Sequence, residues 1–382
     1  MGHARLMGME RFHTIVAGLG AMGSATLCHL ARKGVLAAGF DRFAPPHDMG
    51  SSHGESRMIR EAYYENPRYV PLVRRAYELW HELSALAGEP LIHETGGIYA
   101  GPPDGELVSG MLSAAREHGI GITTLTHDRA SDQFPWIHFD KSWQIIREPR
   151  AGFVLPEKCI AAHLKIATGH GGKIYPNEPI TSWEARKDGV IVSTARGEYE
   201  AERLILATGA WMIDTLNSLG IETLVERQPL FWFEAREAAP RPSAVWALEF
   251  EHAKLLYGFP ATEMGVKVAI HYGGVQRTRP DEIDRTLHDE DVQLLRRHAN
   301  HYIPDLLGEL SRADVCMYTN TPDLHFVFDA HPQHDNVLVV SACSGHGFKF
   351  SSAIGEAAAQ WSRDGAAQAD MSLFALARFK TP

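Results

Sequence analysis

The sequence predicts an α/β protein of two interleaved domains, one built on a parallel βαβ unit and the other on an antiparallel sheet. Three observations carry that expectation. A glycine turn, Gly18-Leu19-Gly20-Ala21-Met22-Gly23, separates an apolar strand from a helix near the start of the chain. A second turn, Ser344-Gly345-His346-Gly347-Phe348-Lys349-Phe350, follows an apolar strand near the end, and from Val225 to Tyr272 the texture is one of alternating strands. Segments of one βαβ-type domain thus lie at both ends of the chain, so the other must be inserted into it.

In chain order, Phe12 to Ala17 is a β-branched run that predicts a strand. Met22 to Arg32 is a helix that stops at Lys33-Gly34, and Val35 to Phe40 is a second strand ending at Asp41. Glycines at a strand-to-helix turn let a pyrophosphate approach the helix N-terminus, and an acid 18 residues beyond the last glycine is placed to bind a ribose diol. Together they predict a Rossmann-type dinucleotide site. Tyr69 to Ala87 and Met111 to His118 have helical periodicity. Gly189 to Ser193 and Gly197 to Ala207 form a hairpin leading to Leu204-Ile205-Leu206-Ala207-Thr208-Gly209-Ala210-Trp211, a recurrent partner of the first glycine turn. Leu230 to Ala235 and Val266 to Tyr272 are strands of the antiparallel sheet, and Asp289 to Tyr302 is a polar helix. Val337 to Ala342 is a buried strand, and Ser351 to Ser362 is the closing helix. The nucleotide domain is expected over 1–85, 145–222 and 315–382, and the substrate domain over 86–144 and 223–314.

Composition narrows the function. The 382 residues are 45% hydrophobic and 22% charged, an ordinary globular balance. A formal charge of -10 with no basic run excludes nucleic acid and anionic membrane as partners. Cys28, Cys159, Cys316 and Cys343 fit no CxxC pattern, so neither a disulfide scaffold nor a structural zinc site is expected. His298 and His301 stand without an HExxH or a cysteine and read as a polar helix face, so no metal is expected. No secretory leader or membrane span is evident, and a cytoplasmic protein is expected. No GxSxG accompanies the glycines, so a hydrolase is not indicated.

Four motifs occur in a fixed order: Gly18 to Gly23 with Asp41, Gly54-Glu55-Ser56-Arg57-Met58-Ile59-Arg60, Cys316-Met317-Tyr318-Thr319-Asn320-Thr321, and Ser344 to Ser351. With them the chain, from Phe12 to about Ser362, resembles the monomeric sarcosine oxidase and N-methyltryptophan oxidase family of FAD-dependent amine oxidases. The resemblance implies a glutathione-reductase-like architecture and an FAD held through a cysteine thioether at the flavin 8α carbon, here Cys316. Taken alone, Cys316 between Val315 and Met317 reads as a buried core thiol, and so does Cys343, just before the second glycine turn.

The implied reaction is oxidation of a secondary amino acid at its N-alkyl carbon. The imine hydrolyses to a primary amine and an aldehyde, and molecular oxygen becomes hydrogen peroxide. Positive groups near the ring favour its reduced, anionic form. By resemblance, Arg57 lies by the flavin, and Arg60 with Lys349 clamps the substrate carboxylate, a role suited to a guanidinium fork. Lys349, between Phe348 and Phe350, reads by itself as a partly buried ammonium. Lys267 and His271, four apart on a strand, share a face. Taken alone they read as solvent-facing, whereas the family implies that Lys267 holds a water at N5 for oxygen activation and that His271 touches the substrate. Tyr318 is expected near the substrate carboxylate. Cofactor contacts are expected from Gly18, Gly20, Gly23, Asp41, Arg42, Ser52, His53, Ile180, Ala207, Gly209, Trp211, Gly345, His346, Gly347 and Lys349. The family usually carries Asp-Thr where this chain has Glu55-Ser56. Phe231, Trp232, Phe233, Tyr257 and Phe259 are expected to line the pocket, in a chain expected to be a monomer. Two alternatives share the glycine turns: an oxidase or dehydrogenase of a cyclic imino acid, and an FAD-binding scaffold without catalysis.

Overall fold

A computed structural model describes residues 9–236, 241–272, 274, 276–277 and 279–379. The chain forms two compact units. One comprises Met1–Ser52, Glu157–Glu222 and Thr321–Pro382, and the other His53–Pro156 and Thr223–Asn320. By packing, residues 53–85, 145–156 and 315–320 belong to the second unit.

The first unit is centred on the strand Glu10–Ala17, which runs parallel to Gly197–Leu206 on one side and Ala37–Phe40 on the other. Lys173–Tyr175 extends the sheet beyond Ala37–Phe40, and His334–Ser341 pairs in parallel with the end of Gly197–Leu206. Strands covered on both faces need no polar alternation, which explains the unbroken apolar run Val337 to Val340. Gly189–Thr194 and Ser182–Arg186 add an antiparallel meander to the other half of Gly197–Leu206. The helices Ala21–Arg32 and Ser351–Asp364 pack so closely that a Cβ on Gly355 would lie 2.5 Å from the Ala25 Cβ.

The second unit is dominated by a large sheet. Leu224–Ala235 is flanked by Leu307–Asn320 on one side and by Val266–His271 on the other, all antiparallel. Lys254–Gly258, Val245–Glu251, Gly97–Gly101, Gln144–Glu148 and Thr123–Leu125 continue it. Its two faces are chemically different, as a period of two residues allows. Phe231, Phe233, Val266 and Val268 enter the main core with Leu295 and Ala299 of the helix Asp289–Tyr302. Leu230, Trp232, Ala269 and Cys316 form a separate cluster with Tyr257. A smaller sheet pairs Arg57–Ile59 and Ile92–Glu94 with Gly152–Val154.

The structure departs from the sequence expectation at several elements. Cys316 lies in a 14-residue strand, Leu307–Asn320, where no strand is expected. Register irregularities opposite Trp232, Phe233 and Ala235 break the period on which recognition of a strand depends. The helix Pro156–Gly169 is also additional. The helix expected from Met111 begins at Glu106 and passes through Gly110, where a Cβ would lie 2.2 Å from the Tyr64 carbonyl oxygen. Among the described residues no helix is long and apolar enough to cross a membrane.

Candidate active site

The first glycine turn separates self-packing from ligand approach. Gly18 has φ +89°, and a Cβ there would sit 2.5 Å from the Ala207 carbonyl oxygen; one on Gly23 would sit 1.8 Å from the Gly18 oxygen. These two glycines serve the fold's own contacts. Gly20 does not, since a Cβ on it would meet nothing within 4 Å. It is also the N-cap of the helix Ala21–Arg32, with no side-chain cap and no acid in the first turn. An open glycine at a helix N-terminus without a side-chain cap is the cradle a pyrophosphate needs, so the residues present fit FAD.

Asp41 is buried, and its carboxylate accepts the Leu19 N–H at 2.6 Å and the Phe43 N–H at 2.8 Å, with His47 Nε2 at 3.5 Å. It therefore braces the turn, while a carboxylate retains lone pairs for a diol. Beside it the Arg42 guanidinium lies 5.1 Å from the Trp211 ring centroid. Ala207 donates to the Ala17 carbonyl at 2.8 Å, and Gly209 at φ +57° starts the short helix that carries Trp211. Ile180 packs on the core of this unit, and Ser52 is half-buried at the end of the unit's first segment.

At the second turn Ser344 and Gly345 have φ +42° and +73°, and a Cβ on Gly347 would lie 1.8 Å from the Ala342 oxygen. His346 stacks on Phe326 at 4.8 Å and bonds the Leu324 carbonyl through Nε2 at 3.0 Å. Lys349 is buried at 5% exposure, and its ammonium donates to the His346 carbonyl at 2.9 Å.

The second unit brings together Arg57, Lys267, His271, Cys316 and Tyr318. Cys316 pairs with Gln228 and Trp232 with Lys267 across the large sheet, so Lys267, His271, Cys316 and Tyr318 share its face opposite the main core, while Arg57 comes from the smaller sheet. The Arg57 guanidinium donates to the Cys316 sulfur at 3.3 Å. Burial raises the pKa of this thiol, but the charge of Arg57 and the hydrogen bond from His53 outweigh it and leave the thiol at about 6. Such a thiol is largely thiolate at neutral pH, the form that acts as a nucleophile. His53 is buried too, with Nε2 unpartnered.

Lys267 and His271 are both buried, at 4% and 7% exposure, so the solvent-facing reading does not hold. The Lys267 ammonium donates to the Gly54 carbonyl at 2.5 Å, the Ser56 carbonyl at 2.9 Å and the Ser56 hydroxyl at 3.1 Å. It also lies 4.7 Å from the Phe259 centroid and 5.3 Å from that of Trp232. With three protein acceptors it is a fixed charge. His271 Nδ1 is 3.0 Å from the Tyr318 hydroxyl. Burial, reinforced by Tyr257, pushes that hydroxyl well above its ordinary pKa, so it stays protonated.

Arg60 occupies its own pocket. Its Nη2 lies 2.7 Å from both carboxylate oxygens of Glu65, and its guanidinium stacks between Tyr63 and Tyr64 at 5.0 and 4.4 Å. Burial opposes the charge, but Glu65 more than offsets it and raises the guanidinium pKa. Arg60 thus already holds a carboxylate. Glu65, Arg312 and the indole N–H of Trp232 were not singled out from sequence. The one available signal was an acid five residues beyond Arg60.

Comparisons with known proteins identify the family. The sequence model of a family described as FAD dependent oxidoreductase matches residues 13–361. The chain is 39% identical over 371 residues to the monomeric sarcosine oxidase of Streptomyces avermitilis, covering 95% of this chain and 96% of that one. It is 32% identical over 372 residues to the N-methyl-L-tryptophan oxidase of Yersinia pestis, covering 97% and 100%. Among solved structures, NikD, an unusual amino acid oxidase essential for nikkomycin biosynthesis, superposes with a TM-score of 0.84 at 21% identity over 96% of this chain and 97% of that one.

Proposed function

Because the chain belongs to the FAD dependent oxidoreductase family, we propose that it is an oxidase that demethylates an N-methyl amino acid such as sarcosine. In the net reaction the N-methyl amino acid, water and oxygen give the primary amino acid, formaldehyde and hydrogen peroxide. One observation carries the proposal. A buried ammonium, a low-pKa thiol and a histidine–tyrosine pair share one face of one sheet, and a guanidinium from the smaller sheet reaches the thiol. A scaffold that only binds a nucleotide has no use for that cluster.

When bound, FAD supplies the two-electron oxidant. The open turn at Gly20 and the carboxylate of Asp41 are assigned to its nucleotide half, with support from Arg42 and Trp211. Cys316 is assigned as the thioether ligand, because Arg57 and His53 hold it as a thiolate. Arg57 and Lys267 then place positive charge where negative charge accumulates on reduction. Lys267 is assigned as a fixed charge for the oxygen step rather than as the donor to a water, since its protons have protein acceptors. Arg60 and Lys349 are assigned to the substrate carboxylate, with Arg60 exchanging Glu65 for it. His271 and Tyr318, 3.0 Å apart, are assigned to contacts with the substrate, Tyr318 beside its carboxylate. A monomer is assigned from the resemblance to monomeric sarcosine oxidases, and the scattered cysteines suit a reducing, cytoplasmic setting.

The test is a screen of N-methyl and cyclic amino acids in air, measuring peroxide and formaldehyde together. Stoichiometric formaldehyde and peroxide from sarcosine or a larger N-methyl amino acid are expected. Peroxide without formaldehyde from proline or pipecolate would replace demethylation with ring oxidation, and turnover only with an artificial acceptor would make the protein a dehydrogenase.

A further inference from the structure

The turn beneath Lys267 is strained. Ser56 N–H donates to the Gly54 carbonyl at 2.8 Å, closing a three-residue turn with Glu55 at its centre, and Glu55 has φ +69°. A γ-turn of this hand is rare and strained, and a glutamate in it costs on the order of 1–3 kcal/mol unless its surroundings hold it. Here they do. One Glu55 carboxylate oxygen accepts the Trp232 indole N–H at 3.1 Å, and the other pairs with the Arg312 guanidinium. That guanidinium lies 4.6 Å from the Trp232 ring centroid and also bonds Asp314 at 2.6 Å. The opposite side of the anchor is Lys267, which bonds both residues flanking Glu55 and also lies against Trp232.

We propose that Glu55 is a positioning residue for Lys267. Its carboxylate ties down the Trp232 ring on which the ammonium rests and keeps strained the turn whose two carbonyls grip it. The proposal rests on the oxygen-step assignment for Lys267, but the grip itself can be tested apart from it. The geometry also accounts for the side-chain length. Trp232 and Arg312 are reached together by a glutamate, and an aspartate, one methylene shorter, gives up at least one of them.

Two variants separate strain from anchorage. Glu55→Gly accepts the positive φ and removes the anchor; Glu55→Asp retains the charge and shortens the reach. The first readout needs no turnover: reductive methylation of lysines in the folded protein, followed by mass spectrometry. Lys267 should resist modification in the parent protein and become labelled in both variants. The second readout is reoxidation by air of holoenzyme reduced photochemically without amino acid. Lys267→Met should slow it, and both Glu55 variants should slow it on the order of tenfold, the scale for displacing a charge that acts in the transition state. If Lys267 stays protected and reoxidation is unchanged in both Glu55 variants, the proposal is overturned. If Lys267→Met itself reoxidises normally, the oxygen assignment falls, and the labelling alone decides whether Glu55 holds the lysine.

Discussion

The guanidinium of Arg57 donates to the sulfur of Cys316 at 3.3 Å, and its charge, with the hydrogen bond from His53, reverses what burial would do to the thiol. Desolvation favours the protonated form, so without a cation a buried cysteine titrates above its ordinary range. Here it stands at about 6. In flavin-free protein the ultraviolet absorbance of the thiolate should therefore appear with a midpoint near 6, and Arg57→Met should move that midpoint above the ordinary thiol value. A midpoint that ignores Arg57 would remove the basis for treating Cys316 as an activated nucleophile.

Covalent attachment gives a simpler outcome. Acid-precipitated parent protein should remain yellow, and Cys316→Ser should release its colour to the supernatant. Colour that washes out of the parent protein would leave Cys316 as a core thiol. Cys343→Ser serves as the control and should keep its flavin.

Lys349 should matter to the carboxylate. Its ammonium is buried and donates to the His346 carbonyl, and a substrate carboxylate would offer it a charged acceptor. Lys349→Met should weaken binding of the amino acid by roughly 1.5 to 3 kcal/mol, the range for a hydrogen bond to a charged group. Rapid-reaction measurement of the dissociation constant checks this. An unchanged constant would assign carboxylate binding to Arg60 without Lys349.

Much of this arrangement was legible in the sequence. The strand, glycine turn, helix and strand up to Asp41 announce themselves because each element obeys local rules: β-branched residues, then positive φ, then helical periodicity. The burial of Lys349 followed from its apolar flanks. Lys267 and His271 show the limit, since a period of two says that they share a face and not which face. Only pairing with Leu224–Ala235, whose Phe231 and Phe233 take the core side, places them opposite it. Cys316 was found through its motif while its strand was missed, because irregular pairing erased the alternation. The partnership of Glu55 with Trp232 and Arg312 spans 177 and 257 residues and leaves no local trace.

The glycines of the first turn should divide by role. Gly18→Ala places a Cβ 2.5 Å from a backbone oxygen at φ +89°, and Gly23→Ala places one at 1.8 Å, so both should destabilise the fold itself. Gly20→Ala meets no protein atom within 4 Å, so flavin-free protein should lose only the helix-cap difference between glycine and alanine, about 1 kcal/mol. Its larger cost should appear when FAD is added, as weakened binding by titration. Equal affinity in Gly20→Ala and the parent would mean that the pyrophosphate does not approach this residue.

Glu148 makes the stability of the protein depend on pH near neutrality. It is fully buried; Oε1 accepts the Glu61 and Ala62 N–H groups at 2.5 and 3.3 Å, and Oε2 has no hydrogen-bond partner. Burial pushes its carboxyl up to about 7, against the pull of those two N–H groups and of Arg60. The folded-state value is raised, so the folded protein keeps a proton that the unfolded chain loses above about 4.5. That stabilisation is complete below the unfolded value and is lost as pH rises through about 7. A displacement of this size amounts to on the order of 3 kcal/mol across the window. Glu148→Gln has no proton to lose there. Urea denaturation at a series of pH values should show parent stability falling relative to Glu148→Gln between about pH 4.5 and 7, and a constant difference at higher pH. A difference that stays level across that window would mean that Glu148 is ionised throughout and that the N–H groups and Arg60 outweigh its burial.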